Sequence, residues 1–93
     1  MARILVLDDV FDAGVLIQKI LQKEGHEVKP FTEEEDALRY AGDNRIDLAI
    51  LDIKLKKMSG IEVLEELKKI NADIRVMMLT GYPTIETARQ SLE

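Results

Sequence analysis

The chain has 93 residues, 46% of them hydrophobic and 33% charged, and its formal net charge is -5 at pH 7. This composition is typical of a single globular domain and argues against a disordered chain. Lysine and arginine are interleaved with acids, which argues against a nucleic-acid-binding surface. The absence of cysteine excludes disulfides and thiolate chemistry. No apolar run reaches the ~18 residues of a membrane span, so we expect a cytoplasmic protein.

Four apolar segments, at residues 3–8, 26–31, 46–51 and 74–79, have the composition of β-strands. They alternate with stretches in which apolar residues recur at helical spacing. This alternation predicts one α/β domain over the whole chain, with a parallel sheet and right-handed crossovers. Pro30 cannot donate a hydrogen bond to a neighbouring strand, which places the second strand near an edge of the sheet.

The first two helices have recognisable starts. The first is predicted over residues 13–24, with Asp12 as its cap. The second begins with Thr32 as the N-cap and Glu35 three residues later, which is a capping-box pattern, and it ends near residue 41.

The third helix is predicted over residues 60–70, and a last helix has Pro83 in its first turn. Apolar residues recur every three or four positions in the first and third helices, so one side of each is expected to pack against the sheet. The residues assigned to these buried sides are Val15, Leu16, Ile20 and Leu21 in the first helix and Ile61, Leu64, Leu67 and Ile70 in the third.

Three carboxylates stand where apolar strands end. Asp8 and Asp9 close the first strand, and Asp52 follows the third. The carboxyl ends of parallel strands meet at the edge where open α/β sheets bind ligands, so we expect these side chains to converge. Converging carboxylates repel one another, and a hard divalent cation relieves that repulsion. The residues therefore predict a site for Mg²⁺-dependent phosphate chemistry.

Four sequence blocks, at residues 4–9, 47–52, 58–60 and 78–82, resemble the receiver domain of two-component response regulators. None of them is specific alone, but their order and spacing together are, and the resemblance covers the whole chain. It implies a flavodoxin-like parallel sheet whose first four strands have the order 2-1-3-4.

The resemblance also implies a function. A receiver domain would accept a phosphoryl group on Asp52 from a histidine kinase or phosphotransfer protein, in Mg²⁺-dependent phosphorelay signalling. It would be a phosphoacceptor that assists its own phosphorylation and dephosphorylation, and not an enzyme. By position, Asp9 would bind Mg²⁺ directly, Asp8 would bind it through water, and Asp52 and the backbone carbonyl of Lys54 would complete the ligand set.

The same resemblance assigns the phosphoryl group two further contacts. The hydroxyl of Thr80 would donate a hydrogen bond to a phosphoryl oxygen, and the backbone amide of Gly81 would help to hold it. A typical receiver domain continues into a fifth strand and a fifth helix, which this sequence lacks. The resemblance thus implies a domain that is incomplete after its fourth helix. Its fourth strand would be an exposed edge, and we expect homo-oligomers through it.

Two other functions stay open on the residues alone. One is a structural or assembly fragment of a receiver scaffold that is not phosphorylated, and the other is a metal-dependent aspartyl phosphohydrolase. Those enzymes usually place two acids two residues apart after the first strand, whereas Asp8 and Asp9 are adjacent. Turnover of a generic phosphatase substrate would favour the hydrolase. Failure of a small phosphodonor with Mg²⁺ to modify Asp52, together with a well-folded oligomer, would favour the fragment.

Overall fold

The computed structural model describes residues 1–53, 55 and 59–79. The predicted helix at Pro83 lies outside these residues. None of the helices in the described ranges has the length and hydrophobicity of a transmembrane segment. The elements found there are β1 (Arg3–Leu7), α1 (Phe11–Lys23), β2 (Glu27–Phe31), α2 (Glu34–Asp43), β3 (Leu48–Asp52), α3 (Gly60–Ile70) and β4 (Arg75–Leu79).

The four described strands form one parallel sheet in the order β2-β1-β3-β4. This confirms the predicted α/β flavodoxin-like topology and the place of the proline-containing strand β2 at an edge. In the register of the sheet, Leu7 pairs with Phe31 of β2 and with Leu51 of β3. The carboxyl ends of β1 and β3 therefore lie side by side.

Strand β1 supplies the centre of the core, because its side chains alternate between two buried faces. Leu5 and Leu7 belong to a cluster that includes Leu67, and this face is covered by α2 and α3. Ile4 and Val6 point to the opposite face, where α1 covers them. Burial on both faces explains why the strand is a continuous apolar run in the sequence.

The predicted starts of two helices are wrong by one or two residues. Helix α1 begins at Phe11 with Val10 at its N-cap and no side-chain cap, so Asp12 lies in the first turn. Helix α2 has Glu33 at its N-cap, so Thr32 precedes the cap, and the helix continues to Asp43. The acidic residues in both first turns still interact favourably with the helix dipole.

The predicted apolar sides of α1 and α3 are only partly buried. Leu16 and Ile20 are 59% and 54% exposed, and Ile61 is 60% exposed. In α1 the residues that pack against the buried strand residues Ile4 and Val6 are Ile17 and Leu21. In α3 the fully buried apolar residues are Val63 and Leu67. The other apolar residue that remains exposed in α3 is Ile70.

Candidate functional site

The fold brings three carboxylates together at the carboxyl edge of the sheet. Asp52 is the last residue of β3, and Asp8 directly follows β1, one position beyond the pair Leu7–Leu51. One oxygen from each of Asp8, Asp9 and Asp52 lies within 4.8 Å of the others, and all three residues are half-buried. Asp8 and Asp52 are far apart in the sequence, and the pairing of β1 with β3 is what brings them together.

Backbone hydrogen bonds fix the chain around Asp8. Its amide donates to the carbonyl of Phe31 at 3.1 Å, which extends the contact with β2 beyond the end of β1. Its Oδ1 accepts the amide of Val10 at 2.9 Å, an arrangement in which the side chain closes a local turn. The carboxylate is therefore oriented by the backbone, and the turn delivers the chain directly into α1.

The backbone on the far side of Asp52 is equally constrained. The amide of Ile53 donates to the carbonyl of Leu79 at 2.9 Å, and the carbonyl of Ile53 accepts the amide of Gly60 at 3.1 Å. Ser59 caps α3, because its Oγ accepts the amide of Glu62 at 3.2 Å. The sequence interpretation missed this cap, although a serine three residues before a glutamate is a capping-box pattern.

The electrostatics of the cluster favour a hard cation. At about 4 Å two like charges repel by about 4 kcal/mol at an effective dielectric constant of about 20. Among the described residues, neither Asp8 nor Asp9 forms an ion pair that would offset this repulsion. Oxygens bound to one Mg²⁺ at 2.0–2.1 Å lie at most about 4.2 Å apart. Oxygens within 4.8 Å of one another fit such an ion after small side-chain rotations, or with one ligand acting through water.

The chain that places these three acids at one end of a 2-1-3-4 sheet also matches a known family. The family model of the response regulator receiver domain matches residues 4–93. The chain belongs to this family. The prediction of a receiver domain from four short sequence blocks is thereby confirmed, and so is its place in two-component signalling.

Two curated relatives differ in the share of their own length that this chain matches. The chain is 33% identical over 91 residues to sporulation initiation phosphotransferase F of Bacillus subtilis, covering 98% of this chain and 73% of that protein. It is 32% identical over 90 residues to the transcriptional regulatory protein ZraR of Escherichia coli, covering 97% of this chain and 20% of that protein. The chain thus spans about a fifth of the larger relative.

Solved structures of one receiver protein resemble this domain closely. The response regulator TrrA of Thermotoga maritima, crystallised in complex with Mg(2+)-BeF, is 39% identical with a TM-score of 0.81, over 88% of this chain and 71% of TrrA. A second crystal structure contains the histidine kinase ThkA in complex with TrrA. That match is 38% identical with a TM-score of 0.82, over 91% of this chain and 73% of the matched chain.

The remaining residues that the resemblance assigns to the receiver site are Lys54, Thr80 and Gly81. All three lie outside the described residues, so their contacts with Mg²⁺ and with the phosphoryl group stay predictions. Of the residues assigned to the receiver site, those that the structure describes and brings together are the three aspartates.

Proposed function

We propose that this receiver domain accepts a phosphoryl group on the carboxylate of Asp52 from a histidine kinase or a phosphotransfer protein, with Mg²⁺ as cofactor. The observation that carries the proposal is the approach of three carboxylate oxygens to within 4.8 Å at the carboxyl edge of the sheet. Two features of TrrA support it: that relative is found with Mg(2+)-BeF in one structure and with a histidine kinase in another.

The chemistry requires little more than positioning and charge neutralisation. A carboxylate oxygen of Asp52 attacks the phosphorus of a phosphohistidine, the phosphorus–nitrogen bond breaks, and its electron pair stays on the imidazole, which takes up a proton. Asp52 is left as an acyl phosphate. Mg²⁺, when bound, neutralises charge on the carboxylates and on the phosphoryl oxygens. Asp8 and Asp9 would hold the ion, while the backbone bonds around Asp8 and Ile53 keep the acids in place.

We further propose that the domain is a phosphoacceptor and not an enzyme. The phosphoryl group ends on a side chain of the protein itself, so each molecule is modified once until the acyl phosphate is hydrolysed. The same residues that promote the transfer would also assist that hydrolysis. The adjacent acids after β1 retain the spacing that argues against an aspartyl phosphohydrolase.

Intact-mass spectrometry of the protein incubated with acetyl phosphate tests this function. With Mg²⁺ we expect the mass to increase by one phosphoryl group, and with EDTA we expect no increase, because the three carboxylates then repel the incoming phosphate. A protein that remains unmodified in Mg²⁺ would contradict the proposal and favour a structural role. Steady release of phosphate from a generic phosphatase substrate would favour the hydrolase.

The surface next to the acids offers a docking patch for the kinase. Val10 and Phe11 follow Asp9 directly, and their side chains are 58% and 64% exposed. A phosphohistidine must come within bonding distance of Asp52, so the donor protein has to cover the surface around the carboxylates. Exposed aromatic side chains are frequent anchors of such contacts.

We therefore expect Phe11→Ala to lower kcat/KM for phosphotransfer from a histidine kinase about tenfold or more. The rate with acetyl phosphate should be unchanged, since a small phosphodonor needs no docking surface. Ile70→Ala is the matched control, because Ile70 is an exposed apolar residue at the end of α3 that is remote from the acids. Equal losses with both phosphodonors would mean that Phe11 supports the site and not the docking.

A further inference from the structure

Gly60 has less room for a side chain than any other glycine in the described residues. A Cβ atom built there would lie 2.6 Å from the carbonyl oxygen of Asp52 and 3.2 Å from the Cα of Ile53. It would also lie 2.5 Å from the terminal methyl of Met78. Non-bonded heavy atoms prefer separations of about 3.5–4.0 Å, so a side chain at this position displaces something.

Space, and not backbone conformation, is the reason for glycine at this position. The one glycine with a positive φ among the described residues is Gly25, at 87°. Gly60 is the first residue of α3, where alanine is the better helix former. Helix propensity alone would therefore favour alanine at position 60, but the close contact with the backbone of Asp52 excludes it.

Neither element that meets at Gly60 can easily retreat. Helix α3 is held by Val63 and Leu67, which are fully buried. Its start is tied to β3 by the hydrogen bond from the Gly60 amide to the carbonyl of Ile53. Strand β3 is paired on both sides, by β1 and by β4. The pairing of β3 with β1 ends at Leu51, so Asp52 is held by β4 alone, and this end of the strand is where displacement costs least.

We infer that Gly60 is a positioning residue for the phosphoacceptor: its missing side chain lets α3 abut the backbone of Asp52 and holds that carboxylate at the acidic cluster. This inference rests on the proposed function and extends it. A side chain at position 60 moves Asp52 by several tenths of an ångström relative to Asp8 and Asp9. A misplacement of about 1 Å at reacting groups can lower a rate about 100-fold, so we expect this shift to cost between about 10- and 100-fold.

The test is Gly60→Ala, compared with Gly42→Ala, whose Cβ meets nothing within 4 Å. Mg²⁺ affinity is measured by following backbone amide shifts of residues 9 and 52 by NMR, and phosphorylation by acetyl phosphate is followed by intact mass. We expect Gly60→Ala to weaken Mg²⁺ binding and to slow phosphorylation about 10- to 100-fold. Gly42→Ala should match the parent in both measurements.

Two further variants separate positioning from loss of stability. Gly14→Ala meets the Cβ of Pro30 at 3.2 Å, so it strains the fold at another helix without touching Asp52. Adding Met78→Ala to Gly60→Ala removes the conflict with the methionine methyl but leaves the conflict with the Asp52 carbonyl. We expect Gly14→Ala to lower Tm and retain Mg²⁺ affinity, and the double variant to remain slow in phosphorylation. If Gly60→Ala alone does not fold, the double variant supplies the measurement.

The outcomes test the positioning role of Gly60 separately from the proposed function. Mg²⁺ binding without phosphorylation in the parent would overturn the function, while the affinity of Gly60→Ala would still decide the positioning role. Parent-like affinity and rate in Gly60→Ala, or recovery of both in the double variant, would overturn the positioning role alone. A parent that binds no Mg²⁺ would overturn both.

Discussion

Asp52→Asn is expected to abolish phosphorylation while leaving the fold intact. Asparagine has nearly the same shape as aspartate, but its amide is a poor nucleophile and forms no stable acyl phosphate. Asp52 is half-buried at the end of β3, where the neutral amide replaces a charge that Asp8 and Asp9 repel. Because the shape of the side chain is nearly unchanged, the variant should keep the fold of the parent.

The measurement is intact mass after incubation with acetyl phosphate and Mg²⁺, under conditions that modify the parent. Asp47→Asn is the matched control, because Asp47 precedes β3 and so lies at the other end of this strand from Asp52. Its Oδ2 accepts the amide of Arg3 at 2.8 Å. An asparagine oxygen can still accept that hydrogen bond, so the control should be phosphorylated like the parent. A phosphoryl group on Asp52→Asn would show that another acid is the acceptor.

The convergence of the three acids could be predicted from the sequence because it depends on strand ends. Asp8 and Asp52 each close an apolar run, and the parallel pairing of β1 with β3 aligns those ends without any further information. Such runs are recognisable when strands are buried on both faces, as the burial of Leu5 and Val6 shows. The order of the strands is also restricted, since right-handed crossovers leave few arrangements for alternating strands and helices.

Helix starts and buried sides were harder to predict, because several local choices are nearly equal in energy. Asp12 is a good cap by residue type, yet α1 begins at Phe11, where the turn closed by Asp8 delivers the chain. Leu16 has the right spacing for the core and is exposed, since α1 packs against the sheet through Ile17 and Leu21. These outcomes depend on tertiary contacts that periodicity does not contain.

Gly60 belongs to one of the four blocks that carry the family resemblance, but its close fit against β3 was not predicted from the sequence. It joins the start of α3 to the backbone of Asp52 eight residues earlier, and a contact with backbone atoms leaves no pattern in side-chain types. The acidic cluster differs in this respect, because its members are recognised by residue type and strand position. Atomic separations such as those at Gly60 become visible only when helix and strand are placed together.

A substitution that removes one charge from the cluster should stabilise the metal-free protein and weaken its response to metal. Asp9→Asn keeps the shape of the side chain and relieves repulsion with Asp8 and Asp52. Repulsion of about 1–4 kcal/mol applies to charges about 4 Å apart, depending on whether the medium resembles water or a protein surface. For half-buried groups within 4.8 Å we expect the free energy of unfolding to rise by about 1–2 kcal/mol.

Mg²⁺ should reverse the order of stability. A ligand that binds only the folded protein stabilises it by about 2.7 kcal/mol at a concentration of 100 Kd. The parent gains this stabilisation fully, whereas Asp9→Asn has lost one of its charged ligands and gains less. Urea unfolding of both proteins, with EDTA and with saturating Mg²⁺, measures the two differences. In the metal-free state the difference should also shrink as salt screens the charges.

Asp12→Asn separates this effect from a general response to lost acidic charge. Asp12 lies in the first turn of α1, where a negative charge interacts favourably with the helix dipole by about 0.3–1 kcal/mol. Its removal should therefore destabilise the protein slightly, the opposite sign to Asp9→Asn, and leave the response to Mg²⁺ unchanged. Because the two acids are three positions apart, a common sign for both variants would show that net charge, and not convergence at the sheet edge, governs the stability of this domain.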